Sequence, residues 1–157
     1  SKIINLHNKN LNFDEISFLF DISNGSPGLA LKLSTTDIKD VYNNIINILF
    51  ERQSMSSKII DLSTHVSNYN NDQYKIYLMI LKFILINVTK INLNYNFTKI
   101  FKSNLLINLK KLSNLIDNDI CLKILEYLNN NENDLFEYNL DKKLFSLNIF
   151  SSLSRNL

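Results

Sequence analysis

In the stretch Tyr74-Lys75-Ile76-Tyr77-Leu78-Met79-Ile80-Leu81-Lys82-Phe83-Ile84-Leu85-Ile86-Asn87-Val88, only Lys75, Lys82 and Asn87 interrupt a run of apolar side chains. Tyr74, Tyr77, Leu78, Leu81, Leu85 and Val88 recur at the three- and four-residue spacing that lines one side of an α-helix. Ile76, Met79, Ile80, Phe83, Ile84 and Ile86 occupy the remaining sides, so the helix is apolar nearly all round. Such a helix must be surrounded by protein or lipid. The segment Ile76 to Ile86 carries Lys82 and falls short of the ~20 apolar residues that a bilayer demands. The middle of a helical bundle is the place that fits it.

Outward from this stretch the same period continues. Ile38, Val41, Tyr42, Ile45 and Leu49 form a stripe, with Thr36 and Asp37 available to cap its start. Lys58 to Val66 reads as a shorter helix. On the other side Phe97, Phe101, Leu105, Leu109, Leu112 and Ile116 form one stripe, and Ile120, Ile124, Leu125 and Leu128 another. After an Asn- and acid-rich stretch, in which Asn129-Asn130-Asn131 read as loop, Leu144, Leu147, Phe150 and Leu153 form the last. The many Ile and Val residues carry β-propensity, but no useful length of strand alternation occurs. An all-α helical bundle is expected, without internal repeats.

Composition bounds the function. A chain of 157 residues has room for one domain and a fragment of a second, and buries roughly two-thirds of its unfolded surface without needing a staple. Seventeen basic and fifteen acidic residues leave a net charge of +2, which is not the basic footprint of nucleic-acid binding. Lys110-Lys111 and Lys142-Lys143 read as solvated pairs. The single Cys121 excludes an internal disulfide and a multi-cysteine zinc site; three residues before Ile124 on an apolar face, it reads as a small buried hydrophobe. The first residues lack the continuous apolar core of a signal peptide, so a soluble, cytoplasmic protein is expected.

Residues 13 to 33 differ from the rest. Both glycines and the only proline lie in Gly25-Ser26-Pro27-Gly28. Phe13 to Ile22 reads as a short helix, with Asp14 and Glu15 in the first turn where the helix dipole favours negative charge. Gly25 suits the left-handed position that ends a helix. Ser26 can cap the next one, and Pro27 falls where a missing N–H is no loss. Leu29, Leu31 and Leu33 anchor that second helix, and Ala30 permits close approach. Ser34-Thr35-Thr36 reads as the seam between this unit, residues 1–34, and a bundle over 35–157.

The helix, the Gly25-Ser26-Pro27-Gly28 turn and the following Leu29-Ala30-Leu31-Lys32-Leu33 resemble the end of the lid domain in clamp-loader subunits of the AAA+ class. Far along the chain, Tyr138-Asn139-Leu140-Asp141-Lys142-Lys143 and the apolar Leu144 to Leu153 are similar to the segment that opens the last collar helix in delta-prime subunits of bacterial DNA polymerase III. The two matches stand in that family's order and at about its spacing, and they cover residues 13–33 and 138–153; the middle agrees only in helical pattern. The resemblance implies that 1–34 is the C-terminal part of an AAA+ lid domain and 35–157 a helical collar, the oligomerisation domain of a clamp loader that places the sliding clamp on DNA during replication. It implies contacts with the gamma/tau and delta subunits through the collar. The sliding clamp and primed DNA would be met only by the whole complex, itself part of a DNA-directed DNA polymerase holoenzyme. Neither a membrane nor a cofactor is implied for this piece. A phosphate-binding loop, a zinc site and an arginine finger would belong to an ATPase-like domain before Ser1; no Gly-x-x-x-x-Gly-Lys-Ser/Thr stands in this sequence. ATP-hydrolysing relatives carry a sensor arginine where Gly28 stands here, followed by Leu29, with Lys32 the nearest cation. Since glycine brings no charge to a nucleotide, the resemblance points to a non-hydrolysing subunit.

Residues that carry chemistry elsewhere do not converge. His7 and His65 belong to no ligand-spaced pair, and no serine has a His and an Asp at a recognisable spacing. Asp117, Asp119, Glu132, Asp134 and Glu137 lie beside Asn residues and read as helix caps and solvated surface. The seven tyrosines and ten phenylalanines fall mostly on apolar stripes and read as core. The contact surface that the resemblance implies for the collar is the entry Leu140, Asp141, Lys142, Lys143 and the last helix, with Leu144, Phe145, Ile149 and Phe150 divided between core and interface. Both Phe145/Ile149 and Leu144/Leu147 form plausible inward stripes. The rival expectation is an unrelated all-α interaction module in which Gly-Ser-Pro-Gly is ordinary punctuation between helices.

Overall fold

The computed structural model describes residues 11–35, 37–50, 55–94, 101 and 104–154. These form eight helices and no strand: α1 (Phe13–Ile22), α2 (Pro27–Ser34), α3 (Ile38–Phe50), α4 (Met55–Ser67), α5 (Asn71–Asn92), α6 (Leu105–Ser113), α7 (Asn118–Glu137) and α8 (Lys142–Ser154). The fold is an all-α bundle, as the periodicity leads one to expect.

α5 is the mast of the bundle. It packs against α3, α4, α6 and α7, and Tyr74, Tyr77, Leu78, Ile80, Leu81, Ile84, Leu85 and Val88 are fully buried on it. Each such side chain contributes on the order of 1.5–3 kcal/mol of transfer free energy. A capping box starts the helix: Gln73 N–H donates to Asn70 Oδ1 (2.9 Å) and Asn70 N–H to Gln73 Oε1 (3.0 Å). Asn94, at φ 59°, ends it in the left-handed region. α8 lies against α4 and α7, closing the far side.

α1 and α2 pack on each other. The edge of Phe18 meets the Tyr42 ring with centroids 5.3 Å apart, and Ile16, Leu19, Ile22, Ala30 and Leu33 belong to the same continuous core as the other helices. The turn between them is built as the sequence suggests, with one refinement. Asn24 (φ 50°) and Gly25 (φ 76°) are both left-handed, and Gly25 N–H donates to Phe20 O at 2.9 Å, which satisfies a carbonyl of the last turn. Ser26 then caps α2 through Leu29 N–H, with Pro27 at its first position.

Two readings of the sequence need correction. Asn129-Asn130-Asn131 is not a loop: α7 runs through it for 20 residues. Leu128 and Leu135, two turns apart, are both buried, so the apolar stripe survives beneath the polar surface residues. Asn131 also turns its Nδ2 back to Tyr127 O (2.7 Å) instead of competing for a turn. Secondly, the Phe97–Ile116 stripe is not one helix. α6 begins at Leu105 and ends at Ser113; Phe97 lies outside the described residues. Phe101 is non-helical yet packs edge-on to Phe83 at 6.2 Å, and Ile116 is buried beyond the helix end, its carbonyl held by Asn92 Nδ2 at 3.1 Å. Thr36, Leu153 as a side chain and His7 also lie outside what is described.

Candidate interaction surface at the last helix

α7 ends in a left-handed turn at Asn139 (φ 50°). Leu140 N–H closes back on Leu135 O (3.0 Å) and Tyr138 N–H on Asp134 O (2.9 Å), so the carbonyls of the last turn are satisfied. Asp141 caps α8: its Oδ1 accepts Leu144 N–H at 3.0 Å and its carbonyl accepts Phe145 N–H at 3.0 Å. The chain thus reverses within four residues, Tyr138 to Asp141.

This turn is locked to the α4–α5 turn. Lys142 Nζ donates to Tyr69 O (2.7 Å) and lies 5.7 Å from the centre of the Tyr74 ring. Tyr74 Oη–H donates to Lys142 O at 2.9 Å, which leaves Ser146 Oγ–H to donate to the Tyr74 oxygen at 2.7 Å. Burial raises the Tyr74 hydroxyl pKa well above its ordinary value, the Ser146 bond acting the other way. Lys142 is therefore a half-buried strut and not the solvated cation that its pairing with Lys143 suggests.

The orientation of α8, open between two stripes in the sequence, resolves. Phe145, Ile149 and Phe150 are buried, with Phe145 tilted against Tyr127 at 5.2 Å; Leu147 is half-buried and Leu144 is 59% exposed. Of the expected contact residues, Phe145 and Ile149 belong to the core of this chain, Lys142 is committed to Tyr69, and Lys143 is half-buried. Leu140 and Asp141 are exposed, the latter with its carboxylate occupied as a cap. What stands out to solvent is Tyr138 (66%), Leu140 (46%) and Leu144 (59%), three large apolar side chains within seven residues on a rigid corner.

At the other motif, Gly28 is exposed at the second position of α2, and a Cβ built there would meet no atom within 4 Å. Any side chain at this position would project freely, so packing does not demand a glycine.

The remaining chemistry-bearing residues are dispersed. His65 is exposed, its ring edge-on to Tyr69 at 5.3 Å. Cys121 is a buried free thiol whose pKa burial pushes up to about 11, so it is neutral and unreactive at ordinary pH. Asp117 occupies the cap position of α7 without making the cap bond, and Asp119 lies in its first turn. Asp134 and Glu137 are exposed on α7. Glu132, read as cap or free surface, instead pairs with Lys82 of α5. Among the described residues no group of three or more His, Cys, Asp or Glu could hold a metal ion, and no helix is long and apolar enough to cross a membrane.

Protein-family models give no match to the chain, and neither curated proteins nor solved structures give a significant one.

Two features had no signal in the sequence. The Lys82–Glu132 pair joins residues fifty positions apart. Tyr42 is buried, with Asn108 beside its hydroxyl, and lines a cleft with Asn43, Asn104 and Asn108, a grouping that depends on how α3 and α6 meet.

Proposed function

We propose that this chain is a helical protein-interaction module whose contact surface centres on Tyr138, Leu140 and Leu144. The observation that carries the reading is their exposure on a corner whose backbone is fixed by the Lys142–Tyr69 and Tyr74–Ser146 bonds. Clustered apolar surface that is held rigid, and not merely scattered, is what a partner can cover with little loss of entropy.

In its finer form the proposal gives the partners: the other subunits of a bacterial clamp loader, with this chain the C-terminal lid end and collar of a delta-prime subunit of DNA polymerase III. Supporting it are the two motifs of the resemblance and their positions, Gly25-Ser26-Pro27-Gly28 joining α1 to α2 and Asn139-Leu140-Asp141-Lys142-Lys143 opening α8. Gly28, uncharged where a sensor arginine would stand, favours a non-hydrolysing subunit.

The test is reconstitution of the full-length protein with the motor and delta subunits, followed by gel filtration. Co-elution is expected, and Leu140→Asp with Leu144→Asp should weaken it by about tenfold or more without changing the melting temperature. Failure of the folded full-length protein to join the complex would sink the clamp-loader reading. An unrelated helical interaction module would then be the better description, tested by whether the same two substitutions abolish binding to whatever partner co-purifies.

A further inference from the structure

Asp134 and Glu137 stand in the last turn of α7, which carries no basic residue. Both are solvent-exposed, and their three- and four-residue spacing puts them on the same flank of the helix as Tyr138. A carboxylate there meets the negative end of the helix dipole, where a cation is favoured and an anion is not. α5 and α6 follow the favourable pattern, with Lys90 and Lys110-Lys111 in their last turns. Asp141 adds a third exposed carboxylate beside Leu140, with one oxygen capping α8. The exposed apolar corner of Tyr138, Leu140 and Leu144 is thus edged by negative charge that works against the stability of its own helix.

The lysines of this region are placed differently. Lys142 Nζ is turned to Tyr69 O at 2.7 Å. Lys75 Nζ lies 4.9 Å from the centre of the Phe136 ring, and Phe136, two residues from Tyr138, falls on the opposite side of α7. Lys143, half-buried at the start of α8, opposes a cationic partner, but three exposed carboxylates favour one. The sign of the charge discriminates among partners. Phosphate backbones and anionic lipid surfaces are repelled by Asp134, Glu137 and Asp141, and so is an acidic protein segment.

We propose that the corner receives a basic amphipathic segment of a partner protein. Its aliphatic side chains cover Tyr138, Leu140 and Leu144, and its Lys or Arg side chains pair with Asp134 and Glu137 at the negative end of α7. The proposal rests on the corner being the contact surface of the chain, and not on which protein supplies the segment.

The probes are three amphipathic peptides of one length, with the same leucines and with lysine, glutamine or glutamate between them, titrated into the whole ¹⁵N-labelled chain. Saturable shifts at Tyr138, Leu140 and Leu144 are expected at the lowest concentration with the lysine peptide and at the highest with the glutamate peptide. Added salt should narrow that spread. Asp134→Lys with Glu137→Lys should weaken the lysine peptide about tenfold and strengthen the glutamate peptide. The same variant should melt higher than the parent, because its last turn now suits the dipole. If it does not fold, Glu137→Gln alone should weaken the lysine peptide severalfold. Equal binding of all three peptides at the corner, or a lysine peptide indifferent to these substitutions, would overturn the basic partner and leave the contact surface standing. A chain that dimerises through the corner, and that Leu144→Asp returns to monomer in sedimentation, would also overturn it, the occupant then being a second copy. Shifts confined to other parts of the chain with all three peptides would remove both the proposal and the contact surface beneath it.

Discussion

At φ 76° Gly25 holds a backbone conformation that costs an L-residue about 1–2 kcal/mol, and the Phe20 ring lies 3.4 Å from where its Cβ would be. Gly28, three residues on, has helical neighbours and open space around it. The same substitution should therefore act in opposite directions. Gly25→Ala is expected to destabilise the chain by about 1–2 kcal/mol, whereas Gly28→Ala should stabilise it by about 0.4–1 kcal/mol through the unfolded state. Urea denaturation of the two variants checks both signs. The composition of the turn was plain in the sequence because only glycine and proline mark a backbone so directly. The place of the Tyr42 hydroxyl beside Asn108 was not, since a tyrosine on an apolar stripe shows where its ring goes and nothing about its oxygen.

Among the elements, α5 was the most legible, because a helix apolar on every side has one possible place in a bundle. α7 was the least. Its Asn and Asp residues have low helix propensity and favour turns, and they hide a stripe that continues from Ile124 through Leu128 to Leu135. The burial of Leu135, with Phe136 partly buried beside it, outweighs those local preferences, which tertiary packing commonly does. The two helices are tied by Lys82 and Glu132, whose side chains are 24% and 26% exposed. Lys82→Met alone should cost about 1 kcal/mol, while Lys82→Met with Glu132→Leu should recover much of that loss. A double-mutant cycle in denaturant, repeated at high salt, measures the coupling; a pair that couples no more weakly at high salt would not be electrostatic.

For the molecule as a whole, the core holds several groups that must stay protonated. Burial raises the hydroxyls of Tyr42, Tyr74 and Tyr77 above 10.0 and the Cys121 thiol from 9.0 to about 11. Each is neutral when protonated, and its raised value means that the folded state holds the proton more tightly than the unfolded one. Their contribution is complete below the unfolded values and is lost as pH rises from those toward the higher folded values. Stability should therefore begin to fall near pH 9 and decline more steeply above pH 10, by about 1.4 kcal/mol per pH unit for each group in its window. Melting temperatures between pH 7 and 11 check this, and Cys121→Ala should remove the earliest part of the decline.

Three long-range bonds, Tyr74 to Lys142 and Ser146, and Lys142 to Tyr69, span 68 to 73 residues, and among the described residues α4 packs most extensively on α8. During synthesis α4 and the flank of α5 that faces it are made long before the segment that covers them. Until α8 has been made and released, a nascent chain would thus display an apolar trough bounded by Leu62, Val66 and Tyr74. That makes the closing helix a late step of folding: the trough is hidden only when α8 docks, and until then it is open to chaperones and to other nascent chains.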